Sequence, residues 1–131
     1  MNQIFSEAWM KALKEQWNAT PEVYEPLKKV EFTARIGYGL KGEARARGLL
    51  MVVNGMVMQA GAMDADDLDW DLRATPEDWN KWIEHGFGLT RLGPAIATNA
   101  LEFASGNYRQ MIANQSLSKA FLHHFSLMSE I

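Results

Sequence analysis

The chain has 131 residues, a length suited to one domain that buries a sizeable core. A hydrophobic fraction of 47%, with five Trp and six Phe, excludes a disordered tail-like protein; a net charge of -3 without a Lys/Arg cluster makes nucleic acid and anionic membrane surfaces poor partners. No cysteine is present, which excludes disulfides, thiolate metal sites and a cysteine nucleophile, and no apolar run reaches the roughly 18 residues of a membrane span.

Residues 3–18 predict an amphipathic helix, because Phe5, Trp9, Ala12, Leu13 and Trp17 recur at spacings of three and four. Thr20-Pro21-Glu22 follows as an N-cap with proline at the first position of a short second helix. Glu31–Leu40 alternates, with Phe32, Ala34, Ile36, Tyr38 and Leu40 on one side, as a half-buried strand does. Lys41-Gly42 is the expected turn into strands over 44–53 and 56–62, which flank Asn54-Gly55. Asn-Gly is a strong hairpin signal, since a type I′ turn needs φ > 0 at both central residues. With those two residues as the loop, Val53 falls opposite Met56, Met51 opposite Met58 and Leu49 opposite Ala60. One face is then Leu49, Met51, Val53, Met56, Met58 and Ala60, and the other Leu50, Val52 and Val57. A two-residue first loop would add Phe32 and Ala34 to the methionine face; a three-residue loop would reverse that relation.

Further along, Asp69–Arg73 reads as a fourth strand with Leu68, Trp70 and Leu72 inward. Thr75-Pro76-Glu77-Asp78 is a second helix start, with Thr75 as cap and acids in the first turn. Its apolar stripe is Trp79, Trp82 and Ile83, with Phe87 as a further candidate, and Gly86 and Gly88 end it. Arg91–Ala97 is read as a short helical piece, Leu101–Ala104 as a last short strand, Tyr108–Ala113 as a short helix, and Ser116–Met128 as the closing helix with Leu117, Phe121, Phe125 and Met128 on one side. The whole is an α+β chain, an antiparallel sheet covered by helices.

Motifs for chemistry are sparse. Asp67, Asp69, Asp71 and Asp78 match positions of a calcium loop, but Leu72 stands where that loop needs glycine, so an acidic edge that discourages strand pairing is the preferred reading. His123 and His124 are adjacent on a helix and point about 100° apart, so they cannot share one ion; His124 is read as a half-buried structural residue. No Gly-x-Ser-x-Gly elbow and no phosphate-binding glycine fingerprint occurs. Arg35, Arg45 and Arg47 are candidates to meet an acidic ligand head, against the commoner reading of solvated strand faces. No metal, cofactor or catalytic residue is expected.

The order of elements and three stretches resemble the sterol carrier protein type 2 family, a nonspecific lipid-transfer domain. The stretches are the hairpin Gly48–Gly61 leading to Trp70-Asp71-Leu72, then Thr75–Ile83, then Leu101–Met111. The likeness spans residues 30–125. It implies a five-stranded, mainly antiparallel sheet with an internal hydrophobic tunnel for a fatty acid, acyl-CoA, sterol or other lipid. It makes Met51, Met56, Met58, Trp70, Trp82, Phe103, Met111, Phe121 and Phe125 the expected tunnel lining, and Met58→Arg the substitution expected to abolish binding. The chain is thus expected to be a free-standing, bacterial-type cytoplasmic carrier, non-enzymatic, with no targeting segment. Two rival readings stand beside it: an accessory subunit that packs its Met/Trp surface on an enzyme handling hydrophobic substrates, and a small isomerase-like enzyme, for which Tyr38 is the one inward tyrosine and lacks an inward carboxylate partner. A homodimer is compatible with all three.

Overall fold

The tight turn at Asn54-Gly55 forms as its sequence demands, with φ of 48° and 85° at the two residues. A computed structural model supplies the remaining architecture and describes residues 4–62, 68–85, 94–95, 97–105, 115–128 and 131. The described elements are α1 (Glu7–Asn18), α2 (Pro21–Lys29), β1 (Ala34–Leu40), β2 (Gly48–Val53), β3 (Met56–Ala62), β4 (Trp70–Ala74), α3 (Pro76–His85), β5 (Glu102–Ser105) and α4 (Gln115–Leu127). The predicted helical pieces over Arg91–Ala97 and Tyr108–Ala113 fall largely or wholly outside the described residues, and Phe87 lies outside them too. The strands form one five-stranded sheet in the order β3-β2-β1-β4-β5. Every neighbouring pair is antiparallel except β1 and β4, which run parallel. The class is therefore α+β, as the sequence predicts, with one parallel pair that it does not reveal.

Helix starts follow local chemistry. Thr75 caps α3 by accepting the Asp78 N–H at 3.1 Å. The first helix begins later than its apolar stripe suggests. Ser6 is its cap, accepting the Trp9 N–H at 3.3 Å, and Phe5 stands before it with φ of 61°. Thr20 precedes α2 in extended conformation with Pro21 at the first helical position, but its side chain is not a cap: the hydroxyl donates back to the Gln16 carbonyl at 2.6 Å.

Registers decide which face is core. Across the first hairpin, Ala34 pairs with Val52, Ile36 with Leu50 and Tyr38 with Gly48. The loop is longer than two residues by an odd number, so Ala34, Ile36 and Tyr38 join Leu50 and Val52 instead of the methionines. The cause is local. Residues 44–47, read as strand from the sequence, instead fold back over the sheet, and Ala46 sits on Gly37 and Gly39. A Cβ on Gly39 would lie 2.9 Å from the Ala46 backbone, so only glycine admits the loop there. In the second hairpin Val53 faces Met56 as expected, but a bulge then makes Met51 face Gln59 and Leu49 face Gly61. Met58 is the extra residue, and beyond it the alternation shifts, returning Ala60 to the core side beside Leu50.

Helices cover the face made by Ala34, Ile36, Tyr38, Leu50, Val52, Val57, Trp70 and Leu72, all buried. The α1 helix lies on β3 and β2 and sets Met10 against Gly48, while α4 packs on α2. Side-chain hydrogen bonds tie the layers. Trp17 Nε1 donates to the Gly55 carbonyl at 2.9 Å, Trp79 Nε1 to the Gly39 carbonyl at 2.8 Å, and Asn18 pairs with both backbone groups of Val57.

The opposite face carries Leu49, Met51, Val53, Asp71 and Arg73. Sequence reading puts Asp69 and Asp71 outward as a solvated edge; the structure corrects this. The β4 strand is interior, between β1 and β5. Asp71 is buried in a two-bond pair with Arg73, at 2.6 and 3.0 Å. Arg73 also donates to the carbonyls of Leu40 and Glu43, so it pins the folded-back loop to the sheet. Asp69 accepts the Arg35 N–H at 2.8 Å at the start of β4.

Candidate functional site

Between the helix layer and the sheet lies an apolar pocket built from five elements and the residue leading into β1. Trp17 comes from α1, Leu27 from α2, Phe32 precedes β1, Ile36 is on β1, Trp70 on β4, and Leu117 and Phe121 are on α4. Each arrives by a simple rule. Trp17 is the last member of the α1 stripe, Ile36 and Trp70 are register partners on the core face, and Leu117 and Phe121 are one helical turn apart. Aromatic rings fill the space. The Phe32 and Trp70 rings are 5.1 Å apart, Trp70 and Phe121 6.4 Å, and Phe121 and Phe125 4.9 Å edge to face. The remaining cavity is about 10 Å³, room for about one water. Among the described residues the pocket is narrow, and a ligand-sized site of about 300 Å³ or more requires these rings to move.

Behind the Trp17 and Phe121 rings sits His124, which pairs with Tyr38. Tyr38 Oη lies 2.8 Å from His124 Nε2, and both residues are wholly buried. The imidazole centroid is 5.5 Å from that of Trp17 and 5.0 Å from that of Phe121. His124 Nδ1 contacts the Phe121 carbonyl, which can only accept, so Nδ1 carries the hydrogen. Nε2 therefore accepts, and Tyr38 donates to it. Burial disfavours both charged forms: it lowers the His124 pKa to about 4 and raises that of Tyr38. The pair is neutral at pH 7. The sequence places Tyr38 inward and reads His124 as half-buried; the histidine is fully enclosed.

The sequence-predicted lining residues divide. Trp70 and Phe121 line the pocket. Phe125 is buried edge-on against Phe121, and Phe103 stands 6.5 Å from the same ring. Trp82 is buried elsewhere, edge-on to Trp79, and borders a surface cleft with Asp78, Lys81 and Thr98. Met51 and Met56 are half-buried and Met58 is 61% exposed, so none of the three methionines enters the pocket. The reason is the register described above: the long first loop and the bulge put them on the side away from the helices. Met111 lies outside the described residues. The pocket residues absent from that prediction are Trp17, Leu27, Phe32, Ile36 and Leu117. Trp17, Ile36 and Leu117 are visible in the sequence as members of apolar stripes, but nothing local marks them as neighbours.

Other candidate chemistry resolves into structure. Arg47 forms a two-bond pair with Glu43, both bonds at 2.8 Å, and this holds the exposed Glu43 carboxyl below its ordinary range. Among the described residues no group of three His, Asp or Glu is placed to hold a metal ion, and no helix is long and apolar enough to cross a membrane.

No family model and no curated protein sequence matches this chain. Solved structures do. A crystal structure of sterol carrier protein 2 superposes with a TM-score of 0.75 over 98% of this chain and 99% of its own, at 17% identity. A solution structure of a conserved hypothetical protein from Thermus thermophilus, described as possibly sterol carrier protein, gives 0.72 over 98% and 89%, at 18% identity. A structure described as UbiJ-SCP2 ubiquinone synthesis protein gives 0.59 over 92% of both chains, at 16% identity. The chain has the sterol carrier protein fold.

Proposed function

We propose that this chain, built on the sterol carrier protein fold, binds and carries an apolar or amphipathic small molecule between its helix layer and its sheet. The observation that carries the reading is the narrow apolar pocket of Trp17, Leu27, Phe32, Ile36, Trp70, Leu117 and Phe121, which five elements converge to build. The ligand class is fatty acids, acyl-CoA or sterol-like molecules, of which the sterol-like kind is in line with the names of the proteins that share the fold. Burying a long alkyl chain contributes about 25 cal/mol per Å², which gives roughly micromolar affinity after association costs. Entry proceeds by displacement of α4 and α2 from the sheet, with Phe32, Trp70 and Phe121 turning to line the ligand. Carriage without catalysis is supported by the commitment of both His124 ring nitrogens inside the fold. The cytoplasm is the proposed compartment.

An accessory-subunit reading has its own support. Val53 and Met58 leave apolar side chains in solvent on neighbouring strands, as a surface that packs on a partner enzyme or a second copy would.

Native mass spectrometry of the purified protein, followed by solvent extraction, tests the carrier reading. A lipid mass near one per chain is the expected result. A clean apo mass, together with no change in Trp fluorescence on adding fatty acid or acyl-CoA, overturns it and favours the accessory-subunit reading.

A further inference from the structure

Two neighbours at the end of α1 grip the tip of the second hairpin. Trp17 Nε1 donates to the Gly55 carbonyl at 2.9 Å, and Asn18 bonds both backbone groups of Val57, each at 2.9 Å. From another direction the Gly55 N–H donates to the Phe32 carbonyl at 2.9 Å, and the Asn54 N–H to Thr33 Oγ1 at 3.1 Å. The tip also sits hard against α2, since a Cβ on Gly55 would stand 2.5 Å from the Lys28 nitrogen. Gly55 is buried and Asn54 is exposed, so solvent begins one residue beyond the carbonyl that Trp17 holds.

Trp17 therefore differs from other walls of the pocket. Leu27, Phe32, Ile36, Leu117 and Phe121 carry no polar side-chain atom, so turning them exchanges one apolar neighbour for another. Turning the indole breaks a buried N–H···O bond and leaves both its donor and its acceptor unpaired, which is expensive. The ring is also hemmed in by the His124 imidazole, 5.5 Å away and edge to face, both of whose nitrogens are engaged.

We propose that Trp17 is the stop of the ligand site, the fixed wall that limits how long an apolar chain the protein admits, and that Gly55 is the positioning residue that holds it there. The inference rests on the carrier reading above and deepens it. As the site opens, the purely apolar walls yield and the indole stays. A chain extends into the site until it meets the indole, and further carbons are left in water.

The test is a calorimetric titration of the saturated fatty acids from octanoate to hexadecanoate. Each carbon buried raises affinity about fourfold, so wild-type affinity is expected to climb with length and then level off. Trp17→Phe keeps an aromatic ring but is shorter and has no N–H, and its affinity is expected to go on climbing for longer chains. Trp79→Phe makes the same change at an indole outside the pocket walls, bonded to the Gly39 carbonyl at 2.8 Å, and its levelling point is expected to match wild type. That control separates a stop from a general loss of stability. Should Trp17→Phe not fold, the wild-type protein still decides: the Trp17 indole hydrogen is expected to exchange with solvent as slowly with dodecanoate bound as without it. Affinity that never levels off, a levelling point unmoved in folded Trp17→Phe or moved equally in Trp79→Phe, or faster indole exchange on binding overturns the assignment and leaves the carrier reading standing. Binding at no chain length overturns the carrier reading itself.

Discussion

The two faces of the sheet are held by different physics. The helix-covered face is a continuous aromatic and aliphatic core, in which Phe5, Tyr38, Trp79 and Phe125 stack or meet edge to face. The opposite face is fastened at one end by a buried ion pair, Asp71 with Arg73, and leaves methionine in solvent at the other. The difference separates two ways a strand residue becomes buried. On the first face side chains are buried because they are apolar. On the second, Asp71 and Arg73 are buried because each satisfies the other and Arg73 holds loop carbonyls. The proposed ligand pocket belongs to the first face, where rings exchange one apolar neighbour for another at little cost.

Substitutions on each face break this comparison open. Trp79→Ala on the helix side removes a fully buried indole and leaves the Gly39 carbonyl without its donor, and it should cost about 4 kcal/mol in urea unfolding. Asp71→Ala on the other side leaves the Arg73 guanidinium buried with only carbonyl partners, and about 3 kcal/mol is expected, with protease cleavage appearing first in the 41–47 loop. An equal loss with no loop sensitivity would show that the pair serves the sheet and not the loop.

Acid tests the helix side through His124. His124 has a folded pKa of about 4 against an ordinary 6.5, so below pH 6.5 the unfolded chain binds a proton that the folded chain refuses. Its contribution to stability is therefore complete above pH 6.5 and is lost as pH falls towards 4, by roughly 3 kcal/mol in all. In His124→Asn, stability should fall less between pH 6.5 and 4.5 than in wild type; parallel pH profiles would refute the assignment. The smallest effect belongs to Met58→Arg. An exposed bulge residue accepts charge, so stability should change by less than about 0.5 kcal/mol and lipid binding should persist, the reverse of what a tunnel-lining methionine predicts. Loss of lipid binding in folded Met58→Arg would return the site to the methionine face.

Much of the fold is legible in the chain. Asn54-Gly55, Thr75-Pro76 and the Trp9, Leu13 and Trp17 stripe each carry their instruction within a few residues, and the strand and helix order follows from them. Inward Trp70, Phe121 and Phe125 follow from periodicity. The site is less legible. Its walls come from residues 17 to 121, and its polar pair joins positions 86 apart. The methionine stripe, Met51, Met56 and Met58, is apolar enough to read as lining, and only the pairing shows that it faces away.

By itself, then, the sequence determined the elements, their order and the α+β class, because turns, caps and hydrophobic periods act over distances of a few residues. The tertiary structure alone decided which face of the sheet is the interior. An odd shift in the first hairpin and a single bulge residue at Met58 each move side chains from one face to the other. Strand alternation has a period of two, so no local signal outvotes a register that the docked loop at Ala46 and the packing of α1 and α4 impose.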